Sequence, residues 1–470
     1  MRESAILRQP GKQGNKEMTE TINGITWRFV VRGQNAIITG IPKDTSGDVD
    51  IPVRLGGAKV TYATYNAFHH RSKFQSVTIP DYLIATVDEP TNLSNSGLEP
   101  EMFDGCSSLR EIRVSKRNPG YKSVNGILLS KGGEKVVAVP QGLAEAKIPK
   151  GVTKIGMSAF AGCRKLKNVA LPDGVMKIEW HAFENCSALE SITIPNSVRA
   201  IRQGAFRGCS KLKTVTIPSA AREIETDVFA GCGGLREIVV ANGNSIYKSI
   251  DGLLVENDAK IRDDFSGARR KGYTLRAVPG GLTEVKIPDG VTYIDATAFM
   301  DCGKLKCVTI PSSVTGIGEK AFDGCRHLEG IAIPDGVTEI GNQAFTNCTG
   351  LKIVTIPAGL KKVGRFPFRK SNIENVTFLP GVKTIYNRMF AQCKIGSVTI
   401  PDSVTHIGTW AFEHCSGLTS VAIPKKVKSI GDYAFVSCTD LKSVTIPASL
   451  KAGAIGRNAF PEGVKIKRVK

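Results

Sequence analysis

The 470-residue sequence has no run of about 18 or more apolar residues, so nothing in it reads as a membrane-spanning helix. Its opening stretch, MRESAILRQPGKQGNKEMTE, holds no apolar segment of secretory-signal length, which leaves export without a visible address. No G-x-S-x-G elbow, phosphate-binding loop or dinucleotide fingerprint occurs. Histidine is scarce: His69, His70, His181, His327, His406 and His414 are the whole set. The adjacent pair His69-His70 lacks the i, i+4 spacing of a zinc hydrolase and is read as solvated. Asp258, Asp263 and Asp264 do not have calcium-loop spacing and are read as solvated acids. Together these gaps argue for a protein that is not an enzyme and has no catalytic set, cofactor or metal. Acidic residues are also outnumbered, 43 against 63 Lys and Arg, for a net charge of +20. Such a charge suits a polyanion partner or serves solubility alone.

What the chain has is self-similarity, and that governs the fold. AFENCSALESITIP returns as AFAGCRKLKNVALP, AFRGCSKLKTVTIP, AFDGCRHLEGIAIP and AFEHCSGLTSVAIP. The motif phenylalanine falls at Phe68, Phe103, Phe160, Phe183, Phe206, Phe229, Phe299, Phe322, Phe345, Phe368, Phe390, Phe412, Phe435 and Phe460, most often 23 residues apart. In the Val-Thr-Ile-Pro stretch, alternation points Val215 and Ile217 inward and Thr216 outward, and proline then ends the strand for want of an N–H. Pro334 to Val337, PDGV, suits a tight turn with glycine free to take positive φ. A second extended piece buries Val337 and Ile340. The following GNQAFTNC is expected to make about two helical turns burying Ala344, Phe345 and Cys348. One unit cannot close a core, but stacked units can.

This pattern, repeated over about residues 51 to 460, resembles the BspA-type leucine-rich-repeat family of bacterial surface proteins. The resemblance implies an α/β leucine-rich-repeat solenoid: a right-handed β-α superhelix with parallel strands along one face. It also implies a surface or secreted adhesin that contacts host or matrix proteins through that face. A reduced cytoplasm, which suits twelve free thiols, is the alternative location.

The period breaks twice, by 57 residues between Phe103 and Phe160 and by 70 between Phe229 and Phe299. Asn125-Gly126 and Asp251-Gly252 are two-residue hairpin signals within these gaps. They predict β-meander insertions at 116–147 and 241–286, the second carrying a charged loop at 256–273. The expected organisation is a disordered 1–20, a hairpin cap at 21–50, irregular repeats at 51–115, repeat blocks at 148–240 and 287–460, and a capping strand at 461–470.

Eleven of the twelve cysteines, all but Cys307, share one repeat position. Stacked equivalents have parallel Cα–Cβ vectors about 5 Å apart, too far for a disulfide, which wants about 3.8 Å between Cβ atoms. A ladder does not converge on a metal either. The cysteine is therefore read as a core residue. Cys307 sits one position before an inward valine and is expected to be exposed.

A protein partner is expected on the outward strand residues, at Lys167, Glu190, Thr193, Lys213, Thr216, Arg236, Lys306, Thr309, Glu329, Lys352, Thr355, Lys442 and Thr445. Charges alternate along Lys167, Glu190, Lys213 and along Lys306, Glu329, Lys352, so adjacent strands are expected to compensate one another. That alternation disfavours nucleic acid. The alternative partner is a polyanion, an acidic glycan or nucleic acid, on the basic segment 361–370, through Lys361, Lys362, Arg365, Arg369 and Lys370. The chain is expected to act as a monomer.

Overall fold

The computed structural model describes residues 7–8, 16–87, 97–257 and 272–469. Asp258, Asp263, Asp264 and most of the charged loop lie outside these residues, as does most of segment 1–20. The chain divides into two compact units. One holds residues up to Val228 together with Ala241–Asn244, and the other holds Phe229–Val240 and Ser245–Lys470.

The first unit opens with three antiparallel strands, Met18–Ile22, Ile25–Arg32 and Asn35–Gly40, to which Ala58–Thr64 adds in parallel. The first turn is Asn23-Gly24, both residues at positive φ. Trp27 is buried there, its ring edge-on to Phe68 at 6.3 Å. A meander of Tyr121–Val124, Ile127–Ser130 and Lys135–Ala138 follows, turning at Asn125 (φ 54°) and Gly126 (φ 74°). Its last strand seeds a parallel ladder of two-residue strands, Lys154–Ile155, Lys177–Ile178, Ala200–Ile201 and Glu223–Ile224. A separate ladder joins Glu145–Lys147, Asn168–Ala170 and Ser191–Thr193.

The second unit repeats the device. Tyr247–Ile250, Leu253–Asn257 and Tyr273–Ala277 form its meander, and Val291–Ile294, Gly316–Ile317, Glu339–Ile340 and Lys362–Val363 extend it in parallel. On the other ladder, Gly330–Ala332, Ile353–Ile356 and Asn375–Phe378 pair in parallel, and Lys465–Val469 pairs with Ser443–Pro447. Alternation places Val215 and Ile217 inside and Thr216 outside, and Val337 and Ile340 inside. Gly336 departs from expectation: its φ is not positive, and its constraint is closeness, because a Cβ there would lie 2.8 Å from the Ser312 carbonyl oxygen.

The superhelix contains no α-helix among the described residues, which corrects the expected α/β architecture: this is a β-solenoid of strands and turns. The reason is visible in the Ala-Phe-x-x-Cys segment. Left-handed residues bracket it, at Ser158 and Gly162, His181 and Asn185, Gln343 and Asn347, and Tyr433 and Ser437. A right-handed helix cannot run through them. Alternate N–H groups that a helix would use internally go to the next coil instead. Phe160 donates to the Ala182 carbonyl (2.8 Å), Phe183 to Ala205 (2.7 Å), Phe322 to Ala344 (2.7 Å) and Phe412 to Ala434 (2.8 Å).

Inside this backbone seam, the phenylalanine rings stack. Centroids are 4.5 Å apart for Phe160–Phe183, 4.4 Å for Phe299–Phe322, 4.9 Å for Phe322–Phe345 and 5.0 Å for Phe345–Phe368. The cysteine column lies beside the rings, and all eleven members are buried. Each thiol that the geometry resolves points at the previous coil: Cys186 donates to the Phe160 carbonyl (3.1 Å), Cys348 to Phe322 (3.1 Å) and Cys438 to Phe412 (3.1 Å). Ser371 stands where this column expects cysteine and makes the same bond to Phe345 at 2.6 Å. The position thus selects a small side chain that can donate one hydrogen bond within an apolar slot.

Phe345→Ala should destabilise the second unit by about 3–5 kcal/mol, since it opens a cavity between two stacked rings. Chemical denaturation of the variant checks this, and near-wild-type stability would contradict the ring stack. Burial raises many of these thiols, pushing Cys106 and Cys438 up to about 12 from an ordinary 9.0. Unfolded thiols ionise near that ordinary value, so the thiol contribution is complete below it and drains as pH climbs toward the folded values. Stability at about pH 11 should therefore fall well below that at about pH 8, by up to about 1.4 kcal/mol per thiol and pH unit. A Cys348→Ser/Cys415→Ser variant should lose less over the same range. Equal losses would show that the thiols do not drive the effect.

Candidate interaction surfaces

The coils expose three kinds of column. The first is the outward side of the Val-Thr-Ile strands. In the first unit Thr193 and Thr216 are exposed, with Lys167, Glu190 and Lys213 exposed at the strand entries. In the second unit Arg236, Lys306, Thr309, Glu329, Lys352 and Lys442 are exposed, and Thr355 and Thr445 are half-buried. Backbone bonds hold the columns in register: Glu190 donates to the Lys167 carbonyl (3.0 Å), Glu329 to Lys306 (3.1 Å) and Lys352 to Glu329 (2.9 Å). The side chains do not close the expected ion pairs, since no carboxylate lies within 4.0 Å of Lys167, Lys213, Lys306 or Lys352 among the described residues. Solvation outcompetes a surface pair that would be worth little. The alternating charges are therefore open to a partner.

Beside them runs a row of side chains of mixed size. Ser191 donates from Oγ to Asn168 Oδ1 (2.9 Å), and in the second unit Cys307, Gly330 and Ile353 occupy the same position. Ile353 is 52% exposed and Cys307 is exposed, as its place before Val308 predicts.

The second column follows the inner valine of each turn, and here segment 361–370 comes apart. Lys362 lies on the two-residue ladder opposite Glu339, and Lys361 lies just before it. Arg365 and Lys370 are exposed further round the coil, and Arg369 is half-buried, its Nε donating to Gln392 Oε1 (3.1 Å). Ten residues span almost half a coil, so these five cations face more than one surface and do not form one patch. Lysines from later coils join the Lys361 column instead, at Lys383, Lys428 and Lys451.

The third column consists of left-handed turn residues. Phe366, Arg388, Trp410 and Tyr433 all have φ between 54° and 58°. Bulky side chains in this region carry strain of order 1–3 kcal/mol. Stacking offsets it: the Arg388 guanidinium lies 4.0 Å from the Trp410 centroid, and Trp410 and Tyr433 stack at 5.5 Å with planes 7° apart. In the first unit the left-handed residue is His181, and Trp180 one position before it, 42% exposed, donates from Nε1 to Glu225 Oε2 (3.0 Å) beneath the Arg202 guanidinium. The x-x between Gly and Ala-Phe in the motif marks this column in the sequence, but only the coil shows that those residues stack.

His69 is not simply solvated. Its Nε2 lies 3.1 Å from Asp104 Oδ2, and its ring is 4.1 Å from that of His70. Burial works against ionisation of Asp104, and hydrogen bonds from Gln141 and His69 outweigh it, holding the carboxyl below its ordinary value. These contacts tie neighbouring coils together. Among the described residues no group of three or more His, Cys, Asp or Glu could hold a metal ion, and no helix is long and apolar enough to cross a membrane.

Residues 140–250, 279–396 and 361–470 match the family model described as BspA type Leucine rich repeat region. Among solved structures, the chain is similar to a leucine-rich repeat protein from Bacteroides ovatus, at 24% identity and a TM-score of 0.50, covering 96% of this chain and 99% of that one. A leucine-rich repeat protein from Eubacterium ventriosum gives 24% identity and 0.52, covering 68% and 93%. The pneumococcal vaccine antigen PcpA gives 16% and 0.52, covering 96% and 98%. At these identities the likeness shows a shared fold. No curated protein matches the chain.

In the folded protein a maleimide should label Cys307 readily and the buried column hardly at all, and denaturant without reductant should release all twelve thiols. Mass spectrometry of the labelled chain checks this, and several thiols still protected after denaturation would contradict the packing assigned to the column.

Proposed function

The chain belongs to the BspA-type leucine-rich-repeat family, and from that premise we propose that it is a non-enzymatic protein-binding scaffold, displayed at a bacterial surface or secreted as an adhesin for host or matrix proteins. The observation that carries this reading is the outward face of the Val-Thr-Ile strands. It offers a column of unpaired alternating charge, Lys306, Glu329 and Lys352, beside a row in which Cys307 and Gly330 are small and Ile353 stands exposed. Cys307 and Gly330 let a partner's backbone approach closely, Ile353 offers an apolar contact, and solvated charges at the margin supply complementarity and steering. Parallel strand pairing spaces these groups at about 4.8 Å per coil, so a partner spanning several coils reads a fixed ruler. The site residues are those named on this face, and within the second unit they are Lys306, Thr309, Glu329, Lys352 and Thr355. A second reading, binding of an acidic polymer, is favoured by the lysine column and is developed below.

Binding of immobilised matrix proteins to the wild-type chain, followed by biolayer interferometry, should weaken at least about tenfold, or about 1.4 kcal/mol, in Lys306→Glu/Lys352→Glu. Unchanged affinity in that variant, with loss in Trp410→Ala, would move the contact to the stacked turn column.

A further inference from the structure

The geometry points to a glycan-binding groove on the lysine edge of the second unit, away from the strand face and independent of the protein-binding reading. We propose that Lys425, Lys426, Lys428 and Lys451 bind a linear acidic glycan, one bearing sulfate or uronate groups. The turn PKKVKS of one coil and the turn PASLKA of the next enclose a groove of about 580 Å³. Those four lysines line it together with the hydroxyl-bearing Thr405 and Ser449, and no carboxylate does. Val427 and Leu450, both buried, form its floor and tie it to the core. Arg468 borders it, its guanidinium donating to the Leu450 carbonyl (2.9 Å).

The column continues along the coils. Lys428 donates its backbone N–H to the Thr405 carbonyl (2.7 Å), and Thr405 donates to Lys383 (2.8 Å), so Lys383 stands two coils before Lys428 in the same register. All five lysines are exposed, and none has a carboxylate within 4.0 Å among the described residues. The acid at the equivalent turn position is Asp402, one coil before Lys425, itself exposed and outside any described ion pair. Like charges held at strand spacing repel one another, and a bound polyanion relieves that repulsion.

The chemistry of the groove chooses among polyanions. Lysine ammonium groups are compact point charges that meet sulfate or carboxylate without demanding the bidentate geometry for which arginine is suited. Binding of single-stranded nucleic acid draws on aromatic planes for base stacking, and no aromatic side chain lines this groove. Ser449 offers a hydroxyl suited to a sugar, whereas the Thr405 hydroxyl donates to the Lys383 carbonyl (3.1 Å) and can only accept from one.

The test uses the full chain with three probes: a heparin hexasaccharide, the same sugar chemically desulfated and stripped of carboxylate, and a single-stranded oligothymidine of matched charge. Wild type should bind the heparin probe best and the neutral sugar hardly at all. Lys425→Ser/Lys426→Ser/Lys428→Ser/Lys451→Ser should weaken heparin binding at least about tenfold and flatten the slope of log affinity against log salt by about 3, with thermal unfolding unchanged. A control that removes four exposed cations elsewhere, Lys211→Ser/Lys304→Ser/Arg326→Ser/Lys394→Ser, should change affinity by less than about threefold. Equal loss in both variants would reduce the effect to net charge and overturn the site. Tighter, groove-dependent binding of oligothymidine would replace the glycan with nucleic acid. No binding of heparin by wild type would also overturn the proposal, while leaving the test with matrix proteins intact.

Discussion

The structure depends on one backbone bond repeated along the regular coils: the N–H of the motif phenylalanine, as at Phe160, Phe183, Phe322, Phe345 and Phe412, donates to the carbonyl that precedes the next coil's phenylalanine. Because that N–H is spent on a neighbour, the segment closes only single turns of its own, such as Ala161 N–H to the Ser158 carbonyl (2.8 Å), and no continuous helix. The left-handed residues on either side of it, such as Gln343 and Asn347, turn the chain so that the bond can form. Ring stacking then follows from register, since coils aligned by backbone bonds bring equivalent rings to 4.4–5.7 Å. The cysteine answers the remaining need. The phenylalanine carbonyl faces the next coil in an apolar slot, and a thiol, or the Ser371 hydroxyl, donates to it. The Phe322 carbonyl also accepts the Cys325 N–H (3.2 Å), so the Cys348 thiol adds a second bond, worth about 0.5–1.5 kcal/mol.

Identical coils convert a sequence column into a row of side chains in space. This makes the interior monotonous and leaves the surface free to vary, because the outward positions take no part in the seam. The three exposed columns use that freedom differently. The strand face carries small and alternately charged groups. The turn column carries Phe366, Arg388, Trp410 and Tyr433, whose stacking closes their faces to solvent and makes them a brace along the coils. The lysine edge concentrates one sign of charge around a groove. Binding by such a scaffold is additive over coils, so modest contacts at each step sum to an affinity that depends on the partner's length.

Much of the fold was legible in the chain itself. The 23-residue period, the inward Val215 and Ile217, the Asn-Gly and Asp-Gly turns and the exposure of Cys307 all follow from local rules of alternation and turn chemistry. The helical reading of GNQAFTNC failed because apolar spacing at i, i+1 and i+4 is shared by a helix and by a series of tight turns. Only the partner of each N–H separates the two, and that partner lies a whole repeat away. For the same reason the compensating charges of Lys306 and Glu329 were legible as neighbours but not as an unclosed pair, since closure depends on side-chain solvation.

The sequence alone determined the repeat, its burial pattern and its family, because these are written in the identity and spacing of residues within one coil. Tertiary structure decided which outward residues share a surface. The contiguous segment from Lys361 to Lys370 is dispersed round a coil, whereas Lys383, Lys428 and Lys451, separated by dozens of residues, stand in one column. A solenoid makes neighbours of residues one repeat apart and separates those half a repeat apart, so charge that clusters along the chain need not cluster in space.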